Sequence, residues 1–123
     1  MYARAATAYR RVDLDSAPKS DIVVRLFRRF VEDVARARSA IEARDIEAKA
    51  AALDHALRIV VELQAALDHQ AAPEMAGNLG ALYAFVHDQL IFANLNLATA
   101  PLEVATRIMS ELGDAFAEAR TGP

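Results

Sequence analysis

The groups best placed for chemistry in this chain of 123 residues are three histidines, seventeen carboxylates and a few amides, and it contains no cysteine. The lack of cysteine removes thiolate nucleophiles, disulfides and zinc–thiolate sites together, and fits a reducing compartment. A carboxylate-bridged metal pair in a helical bundle needs Glu-x-x-His on two helices, so that both ligands project from one face. The residues three positions before His55, His69 and His87 are Ala52, Ala66 and Ala84. Gly77 and Gly80 follow no strand and have no lysine beside them, so they form no phosphate-cradling loop. There is no Gly-x-Ser-x-Gly elbow for a nucleophilic serine. No metal ligand set or cofactor motif emerges, and the chain reads as a non-enzyme without cofactors.

One fragment is less bland. His55-Ala56-Leu57-Arg58 resembles the His-x-Leu-Lys-Gly segment of histidine phosphotransfer bundles, where an exposed imidazole accepts phosphate and a nearby cation steadies it. Ile59 occupies the glycine position and crowds the approach, so a surface histidine is the favoured reading and phosphotransfer through His55 the alternative. His69 beside Asp68 and His87 beside Asp88 read as solvated helix surface. Arg25, Arg28, Arg29, Arg36 and Arg38 are balanced by Glu32, Asp33 and Glu42 at helical spacing, which describes a solvated, ion-paired face. Asn78, Asn94 and Asn96 interrupt an apolar stretch. A buried amide must find a partner, either inside the fold or on the backbone of a bound peptide.

The elements that would carry these groups are helices. Alanine (28 residues) and leucine (13) dominate over 4 Gly and 4 Pro, and the 54% hydrophobic share sets aside a disordered chain. A net charge of −3 provides no basic field for nucleic acid. The N-terminus has Arg4, Arg10 and Arg11 and no apolar core of a secretory signal. The longest stretch without Asp, Glu, Lys or Arg, Gln89 to Leu102, is 14 residues with two Asn, too short and polar to span a bilayer. These features suggest a soluble, cytoplasmic protein.

Residues 1–20 differ from the rest. Alanines at 3, 5, 6 and 8 support a short helix, Asp13 to Pro18 read as a linker, and Ser20 or Asp21 as a helix cap. From Asp21 to about Ala43, Val23, Phe27, Phe30, Val34, Ala37 and Ile41 define one helical face. Asp45 caps a second helix with one stripe of Ile46, Ala50, Leu53, Leu57, Val60 and Leu67, and another of Ala56, Ile59, Leu63 and Ala66. Pro73 starts a third, with Met75, Leu79, Leu82, Val86, Leu90, Ala93 and Leu97 as its main stripe. Tyr83, Phe85, Ile91 and Phe92 add bulk on its other faces. Thr99 and Pro101 open a fourth, carrying Leu102, Ala105, Ile108 or Met109, Leu112 and Phe116. Short connections force neighbours antiparallel. The fold class is therefore all-α, an up-down four-helix bundle over residues 21–123, with residues 1–20 as an N-terminal segment or short helix.

Within this pattern, Asn78-Leu79-Gly80-Ala81-Leu82-Tyr83, then Leu90 and Ala93-Asn94-Leu95, resemble the Asn-Leu-x-x-Leu-Tyr helix and closing Ala-Asn of the flagellar secretion chaperone family, FliS. Ile22-Val23-Val24-Arg25-Leu26-Phe27, Ala35-Arg36-Ala37, the turn Asp45-Ile46-x-x-Lys49, and Ala56-Leu57-Arg58-Ile59-Val60 through Leu67-Asp68 follow in the family's order. Met1-Tyr2 and Ala8-Tyr9 are also similar to it. Departures are the position of Pro18, Ala72-Pro73 for the usual Gly-Gly, and Phe116 for the usual late Trp.

The resemblance implies a cytoplasmic export chaperone. It would bind the disordered C-terminal segment of flagellin, prevent premature polymerisation and assist delivery to an export-gate component of the flagellar type III apparatus. No catalytic step or cofactor is implied. Coupled folding of a client requires a long apolar groove, expected along Ile22, Leu26 and Phe30 and along Leu79, Leu82, Tyr83, Val86 and Leu90. Asn78 and Asn94 are its expected polar contacts, and Tyr9 takes the role of an N-terminal tyrosine covering apolar surface. A plain scaffold that dimerises through the same face when no client is present is the further alternative.

Overall fold

The structure, a computed structural model, describes the backbone of residues 17–121 and the side chains of residues 21–119. Its elements are α1 (Ala17–Glu42), α2 (Ile46–Ala65), α3 (Pro73–Asn96) and α4 (Ala100–Thr121). Helix α1 packs on α2 and α4, and α3 closes the ring against the same two helices. The expected all-α, up-down four-helix bundle is thus the observed fold.

Local chemistry explains the boundaries. The chain is already helical at Ala17, ahead of the expected Ser20 or Asp21 cap, and Pro18 is accommodated within α1. The expected division at residue 20 therefore falls within α1, and residues 1–16 lie outside the described residues. Between α1 and α2 the chain reverses through Arg44 at φ 58°, with Asp45 N–H donating to Ala40 O at 2.8 Å. Asp45 then caps α2 as its sequence position predicts, its Oδ1 accepting from Ala48 N–H at 3.1 Å. Before α3, Asp68 Oδ1 accepts from the N–H groups of Gln70 and Ala71, both at 3.0 Å, and Pro73 opens the helix. Leu97, at φ 51°, ends α3 in the left-handed region.

Burial follows the α1 pattern closely: Val23, Phe27, Phe30, Val34 and Ala37 are core, and Ile41 is half-buried. Helix α2 departs from expectation. Ile46 and Ala50 are exposed and Leu57 half-buried, while Lys49, Leu53, Ala56, Ile59, Val60 and Leu63 are buried. This helix is apolar over a wide arc, and its packing between α1 and α3 selects which part faces inward. In α4, Leu102, Ala105, Met109 and Phe116 are core; Ile108 and Leu112 are half-buried.

Phe27 is the centre of the packing. Its ring stacks on Phe116 with centroids 5.4 Å apart, and meets Tyr83 at 6.4 Å. This links α1 to α4 and to α3 across the bundle. The approach of α4 to α1 depends on Gly113, where an added Cβ would lie 2.9 Å from Phe27 Cβ. The obstructing atom is close to the backbone and cannot swing away.

The three helical glycines should therefore respond differently to alanine. Helix propensity favours alanine by about 0.5–1 kcal/mol. At Gly77 nothing lies within 4 Å of the new methyl, and at Gly80 the nearest atom is Leu67 Cδ1 at 3.6 Å, so both substitutions should raise urea stability. Gly113→Ala should instead lower it by about 1–3 kcal/mol through overpacking. Equal gains at all three positions would refute the close approach.

Candidate functional site

Helix α3 carries most of the residues expected to bind a partner, and the structure divides them. Leu79, Tyr83, Val86 and Leu90 point inward with Ala76 and Ala93 and are buried in the bundle core. Phe30 on α1 is core as well. These five side chains are packing residues in this conformation, and they do not line an open groove. Leu26 and Leu82 are half-buried, Ile22 and Asn78 exposed, and Asn94 partly buried. Tyr9 lies outside the described residues. The expected stripe mixed two sets: Met75 is half-buried against the core, Leu82 is half-buried, Leu97 is exposed at the helix end, and Tyr83 takes an inward place.

What α3 presents outward is itself apolar. Phe85 is 45% exposed, Phe92 55% and Leu95 77%, with Ile91 and Leu97 also open. At 3.6 residues per turn, Ala81, Phe85 and Phe92 share one line opposite Ala76, Tyr83 and Leu90. Among the described residues, five of the eight large exposed hydrophobic side chains belong to α3 or its cap; the others are Ile22, Ile46 and Val61. Scattered exposed leucines are ordinary, but phenylalanines repeating seven positions apart on one helix face form a patch. The sequence signals Phe85, Ile91 and Phe92 as bulk on the helix's other faces, whereas Leu95 carries no signal beyond its place in the resemblance motif.

The polar groups near His55 do something other than expected. Asp33, assigned to a solvated face, has a side chain only 4% exposed. It pairs with Arg36 at 3.1 Å and Arg29 at 3.5 Å from its own helix, and with Nδ1 of His55 from α2. The correction has a physical reason: α2 covers the carboxylate and supplies an imidazole to satisfy it. His55 is half exposed, but one ring nitrogen is committed to this pairing, and Arg58, the neighbouring cation, pairs with Asp54 at 3.1 Å. The constellation pins α1 to α2. Elsewhere on this face Arg38 pairs within its helix with Glu42 at 3.2 Å, while Arg28 and Arg38 reach across to α4, to Asp114 at 2.7 Å and Glu103 at 3.0 Å.

A shallow cleft of about 290 Å³ lies between α1 and α4, floored by Val31, Val34 and Leu102 and rimmed by Arg38, Glu103 and Arg107. The Arg38–Glu103 pair bridges it. Among the described residues no cluster of three or more His, Asp or Glu could hold a metal ion. No described helix is long and apolar enough to cross a membrane.

The family model described as "Flagellar protein FliS" matches residues 1–123, the whole chain. The chain belongs to the FliS family. It is 29% identical over 129 residues to the flagellar secretion chaperone FliS of Escherichia coli, covering 100% of this chain and 95% of that one. It is 30% identical to the flagellar secretion chaperone FliSB of Pseudomonas aeruginosa, covering 91% and 93%. With FliS of Salmonella typhimurium it shares 32% identity, covering 89% of this chain and 84% of the relative.

The FliS-like block Asn78 to Tyr83 serves both faces of α3. Leu79 and Tyr83 fill the core, Gly80 lies against Leu67, and Asn78 and Ala81 look outward. The Asp33 cluster, by contrast, holds the FliS bundle together away from that outward face. Hydrogen bonds to a charged group contribute about 1.5–3 kcal/mol each. Asp33→Ala should therefore lower urea stability by about 2 kcal/mol and His55→Ala by somewhat less. The double variant should lose clearly less than the sum, because the two side chains share one interaction. Strict additivity would show that the pairing contributes nothing.

Proposed function

We propose that the chain is an export chaperone of the flagellar secretion system, acting by stoichiometric binding in the cytoplasm. Its client is the disordered C-terminal segment of flagellin, which it keeps from polymerising and helps deliver to an export-gate component. The observation that carries this reading is the outward apolar face of α3, with Phe85, Phe92 and Leu95 exposed beside the half-buried Leu82. The names of the relatives support the same role.

The physics of the task fits such a face. Ordering a disordered segment costs about 1–2 kcal/mol per residue in backbone entropy. Each large apolar side chain buried contributes about 1.5–3 kcal/mol. A client helix laid along α3 buries its own apolar stripe together with Phe85 and Phe92, which neither chain achieves alone. Covering flagellin's assembly surfaces and solubilising the segment are then one event. Ile22, Leu26, Leu82 and Asn78 remain candidate contacts at the edges of this surface. Tyr9 keeps its proposed role of covering apolar surface until the client or export gate engages. Without a client, the same face is able to pair two copies of the chain.

Calorimetric titration of a flagellin C-terminal peptide into the full chain is the direct test. Micromolar or tighter binding with 1:1 stoichiometry is expected. Phe92→Asp, at an exposed site, should leave helicity and urea stability intact while weakening binding at least tenfold. Wild-type affinity in that variant would remove the outer face of α3 from the binding surface. Absence of any binding by the wild type would overturn the proposal itself.

A further inference from the structure

Charge is unevenly divided around the bundle. Helix α1 carries six Lys or Arg against four Asp or Glu, whereas α2 carries two against three and α4 two against four. Helix α3 has no Lys or Arg; its carboxylates are Glu74 and Asp88. The side of the molecule built on α3 is therefore acidic, and the cations collect on α1, diagonally across the bundle.

Both α3 carboxylates stand on the outward apolar line. Glu74 and Asp88 are 14 residues apart, two heptads, with Ala81 midway between them, and all three are exposed. Asp88 lies inside the patch itself. Phe85 and Ile91 are three residues from it, Ala84 and Phe92 four, Ala81 and Leu95 seven. Its neighbours on this face are thus all apolar. The Asp88 side chain is 82% exposed, and His87 Nδ1 is 4.0 Å from it, beyond hydrogen-bonding distance. The arginines that neutralise Asp33, Glu42, Glu103 and Asp114 do not reach it.

A solvated carboxylate among Phe85, Phe92 and Leu95 resists being covered by a purely apolar partner, because contact strips its water without replacement. A cation on the partner reverses that penalty through a charge-assisted hydrogen bond. We infer that the outer face of α3 selects a basic amphipathic helix, and that Asp88 sets its register by pairing with a Lys or Arg that interrupts the client's apolar stripe. Client apolar residues three or four positions to either side of that cation then pack on Phe85 and Phe92. Glu74 offers a second cation contact two heptads away, and the acidic flanks on α2 and α4 steer a basic segment toward the face. A second copy of the chain is the poorer fit, since its α3 brings carboxylates and no Lys or Arg. This inference rests on the proposed chaperone role and specifies the chemistry of the client segment.

Asp88 is a surface residue, so Asp88→Ala should leave urea stability close to wild type. In titrations with the flagellin C-terminal peptide, two roles for the carboxylate predict opposite outcomes. A register contact predicts about tenfold weaker binding in Asp88→Ala, and weaker still in Asp88→Lys. A charge that merely keeps the empty face soluble predicts tighter binding in Asp88→Ala, because an obstacle to apolar contact has been removed. Tighter or unchanged affinity would overturn the inference and leave the chaperone reading intact. Charge exchange identifies the partner: with each Lys and Arg of the peptide changed to Glu in turn, one peptide should bind the wild type poorly and recover about tenfold on Asp88→Lys. Recovery with none of them would overturn the pairing. If the wild-type chain fails to bind the unaltered peptide, the chaperone reading falls and the register contact with it.

Discussion

Helix α3 has apolar side chains on opposite faces, and an up-down bundle can bury only one of them. Leu79, Tyr83, Val86 and Leu90 fill the space between α2 and α4, and Tyr83 reaches Phe27 on the far helix. Phe85, Phe92 and Leu95 then have nowhere to go but outward. Aromatic residues exposed on one line of a helix weaken solubility unless something covers them part of the time. A chaperone needs that compromise, because its client surface must be sticky enough to order a disordered chain yet tolerable when empty.

The rest of the bundle is built to hold that helix in place. Helix α1 is the firm side: its stripe is buried from Val23 to Ala37, Phe27 stacks on Phe116, and Gly113 lets α4 come close. Asp33, satisfied by Arg29, Arg36 and His55, ties α1 to α2 with a buried charge on the side away from α3. The connection from α2 to α3 is set by the Asp68 carboxylate and by Pro73, and Lys49 closes the far end of α3.

How far the sequence discloses this depends on how local each determinant is. The α1 stripe, the Asp45 cap and the Pro73 start are legible because spacing and side-chain chemistry within a few residues decide them. The inward face of α3 is not, because a helix apolar on all sides has no period to say which stripe is core. That is why Tyr83, Val86 and Leu90 read as groove residues although the fold buries them in its core. Asp33 looks like one rung of a solvated ladder, since its arginine partners are three and four residues away on its own helix. Only the arrival of α2 buries it. Lys49 and Asn94 are 45 residues apart, and their contact exists only in the folded chain.

The central claim is that the outer face of α3, and not the core stripe or the α1–α4 cleft, receives the client. Amide and methyl chemical-shift mapping of the full chain on addition of the flagellin C-terminal peptide tests it most directly. The account predicts the largest shifts at Phe85, Phe92 and Leu95, spreading to Ile91, with Val31, Val34 and Leu102 of the cleft little changed. Shifts concentrated in the cleft, with the outer face of α3 silent, would contradict it.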